Sequence, residues 1–125
     1  MRADTFDAVV VGAGPAGATA AANMAERGMR VALLDRAAFP RDKICGDAVS
    51  GKSVDVLRRL RLIEGLQQVE QVGSWGVTFS APAGDEVAIP FTSQLDAPVA
   101  PGFVCARLVF DQLLVQNAVR AGATL

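Results

Sequence analysis

The sequence contains no histidine, and its 125 residues include only two cysteines, Cys45 and Cys105. Without histidine the chain cannot build a histidine-based catalytic triad, and its two cysteines lack the C-x-x-C spacing of a zinc or redox site. We therefore expect no metal site within this chain. Demanding chemistry must come from a bound cofactor or from residues outside this sequence.

The chain also lacks an excess of charge and any long apolar run. Its 12 basic and 13 acidic residues leave a net charge of -1, which provides no basic surface for nucleic acid and no polybasic membrane anchor. No run of apolar residues approaches the length of a membrane span, and the opening residues carry charges of both signs. We expect a cytoplasmic protein with no nucleic-acid partner and no transmembrane segment. Since 51% of its residues are hydrophobic, the chain can still bury a core.

The stretch from Phe6 to Arg36 has the pattern of a strand, a glycine turn, a helix and a second strand. Ala8–Val11 is a short apolar run without a helical period, which is typical of a buried parallel strand. A helix is predicted from about Pro15 to Arg27, and Met29–Leu34 forms the second strand. The expected fold class is therefore α/β, with a Rossmann-like βαβ unit and a parallel sheet.

Gly12, Gly14 and Gly17 have the G-x-G-x-x-G spacing of a dinucleotide-binding turn. Gly12 permits the tight turn, Gly14 lets the backbone approach a pyrophosphate, and Gly17 lets the helix lie against the strand. Pro15 and Ala16 begin the helix, whose unpaired N–H groups and positive dipole end favour phosphate binding. The spacing alone is a weak signal, but the strand and helix around it favour the same interpretation. It does not separate FAD from NAD.

Asp35 ends the second strand at close to the ~20-residue distance from the glycine turn at which an acidic side chain accepts hydrogen bonds from an adenosine ribose. Its negative charge would face a 2′-phosphate, so NADP is not expected at this site. Arg41 and Lys43 follow in a predicted loop over residues 37–47, from which basic side chains could reach the phosphates or ribose. A solvated charged loop explains them equally well.

The rest of the chain is predicted to contain two longer helices and a β-hairpin. Ser50–Leu62 has the period of an amphipathic helix. Its basic cluster of Arg58, Arg59 and Arg61 could bind an anionic ligand, but the solvent-exposed face of such a helix is the favoured explanation. Residues 72–91 alternate with period two on both sides of a glycine turn, which predicts the hairpin. Leu95–Gly102 has no periodic signal. Arg107–Arg120 is predicted as a helix, and Ala123–Leu125 should begin a further strand of the sheet.

Three stretches occur in one order: VVGAGPAGATAA followed by Asp35, then FPRDKICGD, then ARLVFDQLLVQNAVRAGA. Together they resemble the geranylgeranyl reductase family of FAD-dependent oxidoreductases, within the larger group of flavoproteins shaped like aromatic hydroxylases. The resemblance implies FAD, with its adenosine on Asp35 and Arg36 and its pyrophosphate over Gly12 to Gly17. It also implies that Arg107 approaches the cofactor and that the turn of Cys45, Gly46 and Asp47 lies near the isoalloxazine.

Three residues with reactive or charged side chains also have simpler explanations. Cys45 is a candidate pocket residue, although a small buried apolar role would account for it equally well. Cys105 has no supporting motif and is expected to be buried. A charge near a helix N-terminus is a sufficient explanation of Asp111, and no catalytic residue is assigned.

The resemblance implies an enzyme that reduces carbon–carbon double bonds of a prenyl or related lipophilic substrate. An electron donor such as NAD(P)H or a reduced ferredoxin, and peripheral contact with a membrane, would accompany such a reaction. Two alternatives stay open: a flavin-dependent monooxygenase or halogenase acting on an aromatic compound, and a non-catalytic nucleotide-binding fragment. Because the family's later glycine–aspartate motif and substrate domain are absent, we expect residues 1–125 to be an incomplete N-terminal FAD-binding domain with a hairpin and loop insertion at about 72–106. Such a piece should not be a competent enzyme by itself.

Overall fold

The computed structural model describes residues 5–91 and 99–125. The chain forms two compact units, one of Met1–Cys45 with Arg107–Leu125 and the other of Gly46–Ala106. The predicted insertion at about 72–106 falls within the second unit, and the first half of the aperiodic stretch Leu95–Gly102 lies outside the described residues.

The described residues form helices and short strands. In order they are β1 (Ala8–Val11), α1 (Pro15–Ala25), β2 (Val31–Leu34), β3 (Ala48–Val49), α2 (Gly51–Arg59), α3 (Ile63–Gln67), β4 (Val72–Ser74), β5 (Gly76–Ser80), β6 (Glu86–Pro90), β7 (Gly102–Val104) and α4 (Arg107–Arg120). None of the helices within the described ranges combines the length and apolarity needed to cross a membrane.

The first unit contains the predicted parallel sheet, but β1 is not the buried strand that was expected, because Val9 and Val11 are exposed. Strand β1 pairs with β2 in parallel, from Ala8 opposite Val31 to Val11 opposite Leu34. On the other side of β2, the Thr124 N–H donates to the Val31 carbonyl at 2.9 Å and the Thr124 carbonyl accepts from the Leu33 N–H at 2.7 Å. The α/β fold class is therefore confirmed, and the expected further strand begins beside β2.

Helix α1 packs closely because its inner face consists of small side chains. Ala18 and Ala21 have no exposed surface, and Ala22 is 1% exposed. Helix α4 packs against α1 and is buried through Leu114, Val115 and Ala118, among other residues. Alanine at the contact brings two helices together while retaining strong helix propensity. This packing fixes the first turn of α1 relative to the sheet.

The turn after α1 makes both neighbouring elements shorter than predicted. The helix ends at Ala25 and the strand starts at Val31 because the chain reverses at Gly28, whose φ is +82°. The Gly28 N–H donates to the Ala25 carbonyl at 2.9 Å, and the Met29 N–H donates to the Met24 carbonyl at 3.2 Å. These bonds satisfy carbonyls at the helix end, so the turn uses residues that the pattern assigned to the helix and the strand.

The second unit contains the predicted hairpin and a small sheet that the sequence did not indicate. Strands β5 and β6 pair antiparallel from Gly76 opposite Pro90 to Ser80 opposite Glu86, which confirms the hairpin. Strands β3, β7 and β4 form a three-stranded antiparallel sheet in that order. Helix α2 ends at Arg59 rather than Leu62, and Arg61 has a φ of +57°. Arg58, Arg59 and Arg61 are exposed, as expected for a wet helix face.

Candidate functional site

A groove of about 910 Å³ lies in the first unit, where β1 and β2 end and α1 begins. The carboxyl ends of parallel strands are the usual ligand-binding edge of such a sheet. Many predicted cofactor residues line this groove: Gly12, Gly14, Pro15, Ala16, Gly17, Asp35, Arg36, Arg41 and Arg107. Lys43, proposed from its place in the loop, lines it as well. The tertiary structure therefore brings the glycine turn, the end of β2, the following loop and α4 to one place.

The glycine turn has the backbone geometry that its spacing predicts. Gly12 adopts a φ of +100°, a conformation that a side chain would disfavour. A Cβ on Gly17 would collide with the carbonyl oxygen of Gly12 and would lie 3.3 Å from the Cγ1 atom of Val10. Helix α1 can therefore pack against β1 only because Gly17 has no side chain.

Gly14 faces two guanidinium groups. A Cβ at this position would lie 3.4 Å from Arg41 Nη2 and 3.8 Å from Arg107 Nη2. Gly14 is the N-cap of α1 and Pro15 begins the helix, so the N–H groups of Ala16 and Gly17 have no acceptor within the helix. Backbone N–H groups and two arginines thus converge at the start of α1.

Asp35 joins the glycine turn to the end of β2. Its Oδ2 accepts a hydrogen bond from the Ala13 N–H at 2.8 Å, and its Oδ1 accepts one from the Ala37 N–H at 3.0 Å. These bonds hold the pKa of the Asp35 carboxyl below its usual value, with the Ala37 bond contributing most. An ionised carboxylate has about four lone-pair sites, so both oxygens can still accept a ribose hydroxyl. The residue is placed for its predicted ribose contact and also orders the turn, a role that its spacing did not reveal.

Asp111 is completely buried between two arginines. Arg107 makes a bidentate pair with it, Nε to Oδ1 at 2.6 Å and Nη2 to Oδ2 at 2.8 Å. Arg41 Nη1 lies 3.1 Å from Asp111 Oδ2 but forms no hydrogen bond of good geometry with any described residue. The pairing with Asp111 is the main reason that the pKa of Arg107 is raised.

The expectation that a helix N-terminal charge accounts for Asp111 is therefore wrong. Its carboxylate pairs with side chains rather than with the first turn of α4, because Arg107 lies one helical turn before it and Arg41 approaches from the loop after β2. The Arg107–Asp111 spacing was the one available sequence signal. The contact with Arg41 joins residues far apart in the chain and had none.

The turn of Cys45, Gly46 and Asp47 was expected near the flavin. Cys45 belongs to the first unit, and the other two residues belong to the second. Cys45 is exposed, so the alternative of a small buried residue is wrong, and its side chain helps to raise the pKa of Arg107. Cys45 does not itself line the groove as the described residues form it. Gly46 and Asp47 belong to the second unit, where Asp47 has a φ of +54° and its carbonyl accepts the Cys105 N–H at 2.9 Å. The placement of Cys45, Gly46 and Asp47 near an isoalloxazine stays a prediction.

Cys105 is buried, as its lack of a motif led us to expect. The residue is 2% exposed, and burial is the main reason that the pKa of its thiol is raised. Its Sγ lies 3.5 Å from the carbonyl oxygen of Glu70. A thiol in such surroundings is not activated as a nucleophile.

The donors around Gly14 fit the diphosphate of a dinucleotide. Arg41 and Arg107 each bring an Nη2 atom to this position, and the helix N-terminus adds unpaired N–H groups. A Cβ on Gly14 would enter the same space. Asp35 lies at the end of β2, where the adjoining ribose is bound in this type of fold. The arrangement can therefore hold an ADP-containing cofactor with no metal ion.

Comparison with known proteins gives a family match and relatives of known activity. The sequence profile of FAD binding domains matches residues 5–125. Menaquinone reductase of Mycobacterium tuberculosis strain H37Rv is 38% identical over 124 residues, covering 98% of this chain and 29% of that protein. Geranylgeranyl diphosphate reductase of Rhodobacter capsulatus is 37% identical over 123 residues, covering 94% of this chain and 27% of that protein. These relatives confirm the resemblance to geranylgeranyl reductases.

A solved structure also matches the fold. The myxobacterial chondrochloren halogenase CndH, described as a variant of FAD-dependent halogenases, superposes with a TM-score of 0.83 at 35% identity. The match covers 94% of this chain and 27% of that one. The present chain thus spans less than a third of the length of each of these relatives.

Proposed function

The chain belongs to the family of FAD binding domains, and from that membership we propose that the whole protein is an FAD-dependent reductase of carbon–carbon double bonds in a prenyl or related lipophilic substrate. FAD is its cofactor. The observation that carries the cofactor assignment is the convergence of Arg41, Arg107 and the N-terminus of α1 on Gly14. The proposed reaction rests on the geranylgeranyl and menaquinone reductases among its relatives.

Each part of the groove has a separate task toward FAD. Asp35 and Arg36 would hold the adenosine ribose, while Gly12 to Gly17, Arg41 and Arg107 would bind the diphosphate. Cys45, Gly46 and Asp47 are proposed to lie toward the flavin, where Cys45 would shape the substrate pocket through its contact with Arg107. When bound, reduced FAD supplies a hydride equivalent, and a proton completes the addition of two hydrogens across the double bond. The protein binds and orients the reactants.

A flavin-dependent halogenase is the second candidate, because CndH is 35% identical to this chain. Such an enzyme needs reduced flavin, oxygen and halide, whereas the proposed reductase needs reduced flavin alone. The described residues of this chain form the part that holds the nucleotide. Measuring which reactants the enzyme requires is therefore the sharper way to distinguish a reductase from a halogenase.

The test uses the full-length protein with FAD bound, chemically reduced by dithionite without oxygen. Geranylgeranyl diphosphate and menaquinone are supplied separately, and products are analysed by mass spectrometry. After any quinol has been reoxidised in air, we expect a gain of two hydrogen atoms in the prenyl chain per reduced double bond, which does not occur with heat-inactivated protein. No reduction of either substrate, together with halogenation of a phenol when oxygen and chloride are added, would replace the proposal with the second candidate.

We also propose a class of electron donor and a cellular compartment. NAD(P)H or a reduced ferredoxin would reduce the flavin, and a lipophilic substrate would bring the protein into peripheral contact with a membrane. We propose the cytoplasm as its compartment. Cell fractionation with and without a salt wash tests the compartment and the peripheral membrane contact. Recovery only in a detergent-extracted membrane fraction would contradict both of these proposals.

A further inference from the structure

Asp111 is a completely buried carboxylate in the part of the molecule that binds nucleotide, and the proposed reaction gives it no task. Both of its oxygens are occupied by arginine, Oδ1 by Arg107 Nε and Oδ2 by Arg107 Nη2 and Arg41 Nη1. The arginine side chains are themselves only 12% and 16% exposed. Asp111 does not line the groove, whereas both arginines do.

The contact geometry differs between the two arginines. Arg107 uses two of its nitrogens on Asp111, which fixes the plane of its guanidinium group. Arg41 approaches Asp111 with one nitrogen, lies over the ring of Phe39 at 5.0 Å, and has its Nε 4.0 Å from Asp35 Oδ1. Each arginine still brings an Nη2 atom close to Gly14. The carboxylate thus connects a loop residue and a helix residue that would otherwise repel each other.

We propose that Asp111 is a positioning residue, which holds the guanidinium groups of Arg41 and Arg107 at the start of α1 before a diphosphate binds there. Long arginine side chains lose rotamer freedom when they bind a ligand, and a partner that orders them in advance removes that cost from binding. The inference rests on the proposed FAD site but not on the proposed reaction.

The competing account is electrostatic and predicts an effect of the opposite sign. If Asp111 only neutralised positive charge, its removal would leave the two arginines more strongly attractive to a diphosphate. Asp111→Asn would then tighten binding. If the carboxylate positions the arginines, the same substitution weakens binding although the site becomes more positive.

The experiment measures ADP and adenosine binding to the full-length apoprotein by calorimetry, for wild type and Asp111→Asn. We expect ADP affinity to fall about ten-fold or more, and adenosine affinity to change less than about two-fold, because only ADP carries the diphosphate. Asp7→Asn is the matched control, since it breaks an exposed carboxylate–arginine pair with Arg30 in the same unit and should leave both affinities unchanged. Equal or tighter ADP binding by Asp111→Asn would overturn the inference. An equal loss for ADP and adenosine would also overturn it, since that is the result of a general fold defect.

A second measurement on the wild type keeps the inference testable if Asp111→Asn does not fold. The Nε–H of Arg107 is observed by NMR in the ligand-free protein, with the exposed Arg30 as reference. We expect slow exchange of the Arg107 proton with water before ADP is added, and little further slowing afterwards. Exchange as fast as that of Arg30 until ADP is added would show that the ligand, not Asp111, orders the side chain. Failure of wild type to bind ADP at all would overturn the FAD site together with this inference.

Discussion

At the scale of single residues, Gly14 and Gly17 lack a side chain for different physical reasons. The missing Cβ of Gly17 leaves room for the carbonyl of Gly12, a backbone atom that cannot move without shifting the turn. A Cβ on Gly14 would lie 3.4 and 3.8 Å from the ends of two arginine side chains, an ordinary contact distance that the fold can accept. The absence of a side chain at Gly14 therefore serves the ligand, and its absence at Gly17 serves the fold.

This difference predicts opposite results for the two alanine variants. Gly17→Ala should lower the free energy of unfolding by about 1–3 kcal/mol and weaken ADP binding with it, because the turn must shift. Gly14→Ala should leave the melting temperature close to that of wild type but weaken ADP binding about ten-fold by occupying the space of the phosphates. Thermal unfolding and calorimetry of the apoproteins measure both effects.

Gly51→Ala is the control for these variants, since a Cβ there would meet the Pro101 carbonyl at an ordinary distance of 3.5 Å. It should change neither stability nor affinity. A Gly17→Ala protein as stable as wild type would contradict the steric argument.

From the pKa of Asp35 we predict that the stability of the fold depends on pH. Hydrogen bonds from Ala37 and Ala13 lower its pKa in the folded protein below the usual value for an aspartate. A carboxylate with a lowered folded pKa stabilises the fold above its unfolded pKa, and this contribution disappears as the pH falls through the folded pKa. Wild type should therefore lose more stability than Asp35→Asn when the pH falls from about 5 to about 2. An NMR titration that places the Asp35 carboxyl at or above its usual pKa would contradict this prediction.

At the scale of elements, α1 and α4 hold the site through a contact made of small residues. Arg107 and Asp111 lie on α4, while the glycine turn leads into α1. The distance from the Arg107 guanidinium group to Gly14 therefore depends on how closely these helices pack. Ala18, Ala21 and Ala22 are buried, and their small side chains let α1 approach its neighbours closely.

A larger residue at this contact should be costly. Ala21→Leu adds volume at a position with no exposed surface, so we expect a loss of about 1–3 kcal/mol in the free energy of unfolding. Ala20→Leu places the same side chain on the exposed face of α1 and should change stability by less than about 0.5 kcal/mol. Urea unfolding of both variants measures the difference. Equal stability of the two would mean that the contact between α1 and α4 tolerates an extra side chain.

At the scale of the whole molecule, the two compact units differ in what they contribute to the groove. All of its lining residues belong to Met1–Cys45 or Arg107–Leu125. The second unit contains the hairpin, whose strands are exposed along nearly their whole length. Binding of the nucleotide part alone should therefore be a property of the first unit.

Hydrogen exchange tests this division. ADP should slow amide exchange in residues 12–17 and around Asp35 and leave the hairpin unchanged, because it fills only the described groove. FAD should add protection at residues 45–47 if the turn lies near the flavin as the resemblance implies. Adenosine, which has no diphosphate, serves as the control. It should slow exchange around Asp35 but not in the glycine turn. Protection of the hairpin by ADP would contradict the division.

Much of the fold could be predicted because its signals are local. The run before Gly12, the alanine-rich helix, Gly28 and Asp35 lie close together in the chain, and each limits the conformation of its neighbours. Helix α4 was predicted with its observed ends, since its apolar period and Gly122 mark them. The strands of the small sheet β3–β7–β4 are only two or three residues long, too short to show a period.

The sequence by itself determined the βαβ unit and the residues of the glycine turn, because strand and helix periods and the tolerance of glycine for a positive φ are properties of short segments. Only the tertiary structure decided that Asp111 is buried between Arg41 and Arg107. That arrangement depends on how the loop after β2 approaches α4, and the charge pattern of neither segment encodes the distance between them. Local preference formed the turn, and long-range packing placed the charges beside it.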